Sequence, residues 1–217
     1  MNRNVKKYWT LGGALFLMFI VFTLGVTNCD VGPIGPEGTT VGFASLNRSI
    51  HEFFGVQMIW YTITDWFGVI AILTAFGYAA VGMVQLIRRK SIRKVDGPIV
   101  AMGFLYLLVI AFYLFFEWVV INYRPVLLDG VLEVSYPSSH TMLVVSVMAA
   151  AAIQQHTQFP ERRKQSLAID VAAGLIIAVT VVGRLLSGVH WFTDIAGGVL
   201  LSSALTALYR AVVECIE

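Results

Sequence analysis

Apolar runs of about 20 residues recur along this chain, and few folds can accommodate that pattern. Inside a bilayer core every backbone N–H and C=O must find a partner within the protein, so such a run crosses as a helix. Hydrophobic residues fill 58% of the 217 positions and charged residues only 13%, far too little polar surface for a water-soluble domain. The net charge of +2, with no basic arm or acidic tail, gives no sign of a nucleic-acid partner. The fold class is therefore all-α: a polytopic membrane protein with six transmembrane helices in one bundle.

The six segments are Tyr8 to Thr27, Gln57 to Ile87, Pro98 to Ile121, Ser139 to Gln155, Leu167 to Leu186 and Trp191 to Val213. Basic residues set their orientation. Arg3, Lys6 and Lys7 precede the first segment. Arg88, Arg89, Lys90, Arg93 and Lys94 separate the second from the third, and Arg162, Arg163 and Lys164 separate the fourth from the fifth. These alternate correctly for a single cytoplasmic side, which would also hold both termini. The other side carries only Arg48, Arg124 and Arg184. Cys29 and Cys215 then fall on opposite sides and cannot pair within one chain. The basic start and first apolar run are signal-like, but the run is longer than a signal core and reads as an uncleaved helix. Val26-Thr27-Asn28-Cys29 is a poor lipoprotein site, because no small residue precedes the cysteine.

The longest outer loop spans about residues 28–56. Its VGPIGPEG stretch is a turn-rich linker. Beyond it, Phe43, Leu46, Ile50, Phe53 and Phe54 fall at helical spacing, with Asn47, Arg48, His51 and Glu52 on the other side. A short amphipathic helix on the membrane surface and an ordinary packed loop helix both fit. Trp60, Trp66, Trp118 and Trp191 read as interfacial belt residues. Asp65, two turns into the second segment, reads as a structural carboxylate partnering an arginine or an indole N–H. His156 falls on the cytoplasmic side and reads as structural.

Three polar clusters share the outer face. His190 and Asp194 are four apart and share a side of a helix that Ser187-Gly188 would start. The carboxylate would orient the imidazole as a nucleophile or base, or the two would merely pair at an interface. Tyr136-Pro137-Ser138-Ser139-His140 has the composition of a helix start, with Ser138 as N-cap. Asn122-Tyr123-Arg124-Pro125 ends the third segment, since proline disfavours helix for the residue before it. With Arg184, these clusters supply two guanidiniums, helix-start amides and two imidazoles, the makings of a phosphate site. No group of His, Cys and carboxylates shows metal-ligand spacing, so neither a metal nor another cofactor is expected.

Together the clusters resemble the signature of the type 2 phosphatidic acid phosphatase superfamily: Lys-x6-Arg-Pro, then Pro-Ser-Gly-His, then Ser-Arg-x5-His-x3-Asp. Arg124-Pro125, Pro137-Ser138-Ser139-His140, and Arg184 with His190 and Asp194 stand at the matching places. The resemblance implies one membrane domain over residues 1–217, its motifs between Glu117 and Asp194, and a metal-independent phosphatase. By matching position, His190 would attack phosphorus and form a phosphohistidine. Asp194 would hold His190, and His140 would protonate the leaving oxygen and then help activate water. Arg124, Arg184, Ser138 and the Ser139 amide would bind the phosphoryl oxygens. Implied substrates are undecaprenyl diphosphate, phosphatidylglycerol phosphate or phosphatidic acid; the positive-inside pattern and compact loops suit a bacterial plasma membrane. A catalytically degenerate lipid binder or transporter on the same fold is the rival; a soluble-type vanadate haloperoxidase is disfavoured by six spans.

Three positions depart from the pattern. Gly183 stands for the usual serine, Ser139 for the usual glycine, and Glu117 for the lysine. An ionised Glu117 would repel phosphate. Either it pairs with Arg124 or Arg184 and orients it, or Arg48 folds over the site as a replacement cation, or catalysis has been lost.

Overall fold

The computed structural model describes residues 3–216. Its α-helices are α1 (Arg3–Asn28), α2 (Ala44–Phe54), α3 (Met58–Arg89), α4 (Gly97–Trp118), α5 (Ser139–Gln158), α6 (Arg163–Ser187) and α7 (Phe192–Ile216). No strand forms among the described residues. Helices α1, α3, α4, α6 and α7 are each long and apolar enough to cross a membrane. Their outward faces carry Leu17, Leu73, Leu107 and Leu175, all between 60% and 64% exposed. Hydrocarbon tolerates such a surface and water does not, since each Å² costs about 25 cal/mol there. The chain is an integral membrane protein.

Helix α5 corresponds to the expected fourth segment but is more polar. It packs against α3, α4, α6 and α7. A helix in that position needs partners for its polar groups more than an apolar surface. The Tyr209 hydroxyl, for example, donates to Gln154 Oε1 at 2.9 Å. Helices α1 and α7 run antiparallel as the most extensive pair in the bundle. Asn4 donates to Glu214 at one end, and α1 meets the segment before α5 at the other. The basic turns at 88–94 and 162–164 gather at the first end; the loops 29–57, 119–138 and 188–191 gather at the second.

Helix α2 is a packed loop helix. Asn47, on its supposed solvent side, is fully buried. Its amide nitrogen donates to the Gly42 carbonyl at 2.8 Å and to Thr193 Oγ1 at 2.9 Å, and its oxygen accepts from the Thr193 N–H at 3.2 Å. His51 Nε2 lies 3.1 Å from the Gly188 carbonyl. The polar side of α2 therefore clamps the α6–α7 corner. Trp191 is likewise no belt residue: it is 3% exposed, and its Nε1 donates to the Tyr123 carbonyl at 2.8 Å. Trp66 and Trp118, 65% and 84% exposed, do face outward.

Tyr136 pins the chain before α5 to α1. Its ring stacks on Phe19 at 6.4 Å and meets Phe116 edge-on at 5.8 Å. Its hydroxyl and Thr23 Oγ1 are 2.6 Å apart. Tyr136→Ala is expected to cost roughly 3–5 kcal/mol, whereas Tyr136→Phe loses one hydrogen bond, about 1 kcal/mol. Thermal unfolding in detergent measures both; equal costs would mean the ring contributes nothing beyond its hydroxyl.

Candidate active site

Each motif reaches the second end of the bundle by its own local device. The first leaves α4 into a short hairpin. Ser135 N–H donates to the Asn122 carbonyl and Arg124 N–H to the Glu133 carbonyl, both at 2.9 Å. Asp129 and Gly130 turn it with φ of 51° and 75°, the two-residue Asp-Gly turn that suits paired extended segments. This hairpin ends the expected third segment at Trp118 instead of Ile121.

The second motif opens α5. The Ser138 side chain accepts from Thr141 N–H as an N-cap. The Ser138 N–H donates to the Asp194 carbonyl at 2.9 Å, joining the second motif to the third. Ser139 and His140 occupy the first turn of α5, where amides have no intrahelical acceptor.

In the third motif, Gly188 closes α6 in the left-handed conformation. His190 precedes α7, which starts at Phe192, and so does not open that helix as expected. The reason is Asp194, whose Oδ2 accepts from the Trp191 N–H at 3.0 Å and so makes Trp191 the cap. Asn122 donates to the other carboxylate oxygen at 2.9 Å. His190 Nδ1 stays 3.6 Å from Asp194 Oδ2, too far for a hydrogen bond. Its Nε2 lies 3.2 Å from Arg124 Nη1. Arginine only donates, so Nε2 accepts and carries the lone pair. Burial first, then the Arg124 and Arg184 guanidiniums, hold this imidazole well below its ordinary range, and at neutral pH it is uncharged.

The two arginines are buried, Arg184 completely and Arg124 at 9% exposure. Their carboxylate partners are not Glu117. Arg124 Nε lies 2.8 Å from Glu133 Oε2, and Arg184 Nη2 bonds Asp65 Oδ1. Asp65 Oδ1 also lies 3.1 Å from His140 Nε2. Arg184 rests over the Tyr61 ring at 4.9 Å, and its Nε and Nη1 are buried without a partner. Glu117 borders a small cleft with Tyr113, Ser135, Pro137 and Ser139, beside the second motif but not against either guanidinium. It sits on the exposed flank of α4, and its hydrogen-bonding neighbour is Tyr113, one turn away. Arg48 is exposed on α2, whose Asn47 and His51 are the residues that turn toward the α6–α7 corner.

Asp65 and Glu133 belong to this cluster although the three motifs do not contain them. The Asp129-Gly130 pair is the signal that marks a hairpin and places Glu133 opposite Arg124. Of the two partners open to Asp65, an arginine or an indole N–H, the structure gives the arginine, Arg184. Its approach depends on Gly183. A Cβ there would come within 2.6 Å of Thr64 Cγ2 and 3.2 Å of Trp60 Cε3. The position usually held by serine is thus where α3 lies against α6.

A helical membrane bundle with buried guanidiniums, imidazoles and carboxylates at one end is the class this geometry defines. Residues 116–215 match the family model of the PAP2 superfamily. The fold of this chain is similar to that of a transmembrane PAP2-type phosphatidylglycerolphosphate phosphatase from Bacillus subtilis. The TM-score is 0.65 over 95% of this chain and 98% of that one, at 20% sequence identity. No curated protein matches the chain by sequence.

Gly183→Ser is expected to destabilise the protein by roughly 1–3 kcal/mol, the usual cost of overpacking. Combining it with Thr64→Ala removes the methyl that the new Cβ meets, so a double-mutant cycle on thermal unfolding should show a favourable coupling. Simple additivity of the two changes would mean that α3 and α6 are not held apart there.

Proposed function

We propose that this protein is an integral-membrane phosphatase that hydrolyses a lipid phosphate or lipid diphosphate at an extracytoplasmic site. On this reading α5 is the sixth span beside the five apolar helices, and the basic turns at the far end support cytoplasmic termini through the positive-inside rule. One observation carries the reading: the buried, unpartnered Nε and Nη1 of Arg184 stand in the same cluster as the lone pair of His190. Uncommitted guanidinium donors around a neutral imidazole suit a phosphoryl group more than a resting ion pair.

The lipid class follows from the space beside the site. A cavity of about 500 Å³ lies between α3 and α4 over α5. Asp65, Ser139 and His140 form its polar end, and Val69, Ile72, Val109 and Leu143 its apolar wall. A second cavity, about 450 Å³, shares Ile110 with it and continues along α3 and α4 past Tyr106 and Met102. An amphiphile with a phosphate at one end and a chain at the other matches that change of polarity. Phosphatidylglycerol phosphate, undecaprenyl diphosphate and phosphatidic acid all have this form.

In the mechanism the lone pair of His190 Nε2 attacks phosphorus as the bond to the leaving oxygen breaks. His140 gives that oxygen a proton. Water then attacks the phosphohistidine and gives a proton back to His140, and the N–P electron pair returns to His190. Arg124, Arg184, Ser138 and the Ser139 amide hold the phosphoryl oxygens through both displacements. Asp194, fixed by Asn122 and the Trp191 amide, stabilises the positive charge on the His190 ring.

Purified protein is expected to release inorganic phosphate from at least one of the three lipids, and His190→Ala to lower that release roughly a thousandfold or more. Equal release from both proteins would remove His190 from the reaction, and release from neither would favour a lipid binder.

The acid limb of kcat/KM tests the state of His190. Its pKa is lowered, so the neutral nucleophile persists as pH falls and is lost only below the ordinary histidine value of about 6.5. Arg124→Gln removes a positive neighbour and should move that limb to higher pH; an unmoved limb would sever the link between the two groups.

A further inference from the structure

We propose that Asp65 is a positioning residue that fixes which nitrogen of His140 exchanges protons with substrate and water, while holding Arg184 by one edge. The proposal rests on the phosphatase reading above and adds a residue that lies outside both the three motifs and the matched stretch 116–215.

A single oxygen, Asp65 Oδ1, faces both Arg184 Nη2 and His140 Nε2, the latter at 3.1 Å. An ionised carboxylate only accepts hydrogen bonds, so His140 Nε2 must carry a proton to meet it. The Cδ2–Nε2 edge of the ring is turned toward α3: a Cβ built on Gly68 would lie 3.0 Å from Cδ2 and 3.3 Å from Nε2. Nδ1 is therefore on the edge away from α3. Charged groups and the second imidazole act on this ring from several elements: Asp65 on α3, Arg184 on α6, Arg124 in the hairpin and His190 at the α6–α7 corner; Tyr113 of α4 is the titratable group that lines the same cavity. Only Asp65 among them is negative.

The proton inventory then closes on one nitrogen. Nδ1–H passes its proton to the leaving oxygen as the P–O bond breaks, and His140 remains neutral with Nε2–H still on Asp65. In the second displacement Nδ1 takes a proton from water as the water oxygen bonds to phosphorus. The Nε2 proton never leaves. On Arg184 the same carboxylate occupies Nη2 alone, which leaves Nε and Nη1 unspent for the phosphoryl group.

Asp65→Asn in the full chain keeps the size and an acceptor oxygen but deletes the charge. Expected are a fall in kcat of roughly tenfold or more with a smaller change in KM, and an alkaline limb of kcat moved about one unit lower in pH. Asp65→Glu should restore part of that limb. Loss carried by KM with the alkaline limb unmoved, or unchanged kinetics, would overturn the proposal. A second measurement does not need turnover: ¹⁵N spectra of histidine-labelled protein, with His140 assigned by His140→Gln. In its neutral form the His140 ring is expected as the Nε2–H tautomer in the parent protein, with a change in tautomer balance in Asp65→Asn; a neutral ring held as the Nδ1–H tautomer in the parent would overturn it. Failure of phosphate release by the parent protein sinks the phosphatase reading alone, since the tautomer result stands apart from it.

Discussion

Two guanidiniums buried at one end of a membrane bundle govern the rest of this structure. A buried charge costs several kcal/mol unless it meets an opposite charge with good geometry. Arg184 is fully enclosed and Arg124 nearly so, and each has a single carboxylate: Asp65 for the one and Glu133 for the other. Neither carboxylate is a sequence neighbour. Asp65 arrives because α3 lies against α6, and Glu133 because the chain after α4 doubles back through Asp129-Gly130. The α6–α7 corner is held in turn by α2, through the Asn47 amide and the His51 ring. The loops at this end are thus the means of neutralising two arginines without saturating them.

Partial neutralisation has a chemical consequence. The Glu133 and Asp65 side chains are 43% and 37% exposed, whereas their guanidinium partners are buried. The anions sit at the rim and the cations beneath them. On the proposed reading, a phosphate approaching from the rim would meet the carboxylates first, and they are the groups free to yield to it. Glu117 adds to this negative rim near Ser139 instead of orienting an arginine. A lysine at that place would be an outer cation, and on the proposed reading its loss would leave phosphate binding to the two buried guanidiniums and the amides at the start of α5.

What the sequence makes legible follows the range of the interaction that encodes it. Span length and the alternation of basic turns are local, and they anticipate the helices within a few residues. The N-cap role of Ser138 is local too. Asp194 is local but misleading: spacing of four suggests a bond to His190, yet the same carboxylate is three residues from the Trp191 amide, and the helix start takes it. Asn47 and Trp191 look like surface groups by type, and only packing shows that their polar atoms find buried partners. Glu133 carries a readable signal in the Asp-Gly turn. The bond between Asp65 and Arg184 joins residues 119 apart, and no periodicity encodes it.

Gly183 and Asp65 are best understood as one feature. Compared with the superfamily pattern, Gly183 lacks a side chain, and counting hydroxyls alone makes that a lost hydrogen bond worth roughly 1 kcal/mol. The structure changes the sign of the exchange. Without a Cβ at position 183, Thr64 and Trp60 close directly onto α6. Asp65 is the next residue after Thr64, so the same approach carries its carboxylate to Arg184 and His140. A neutral donor is given up and a charged acceptor gained, and a charge-assisted bond is about twice as strong as a neutral one. The acceptor also spans two motifs that a serine hydroxyl on α6 would not join, because it reaches His140 as well as the arginine. Adding a side chain at position 183 and deleting the carboxylate at 65 therefore disturb the same contact from opposite sides.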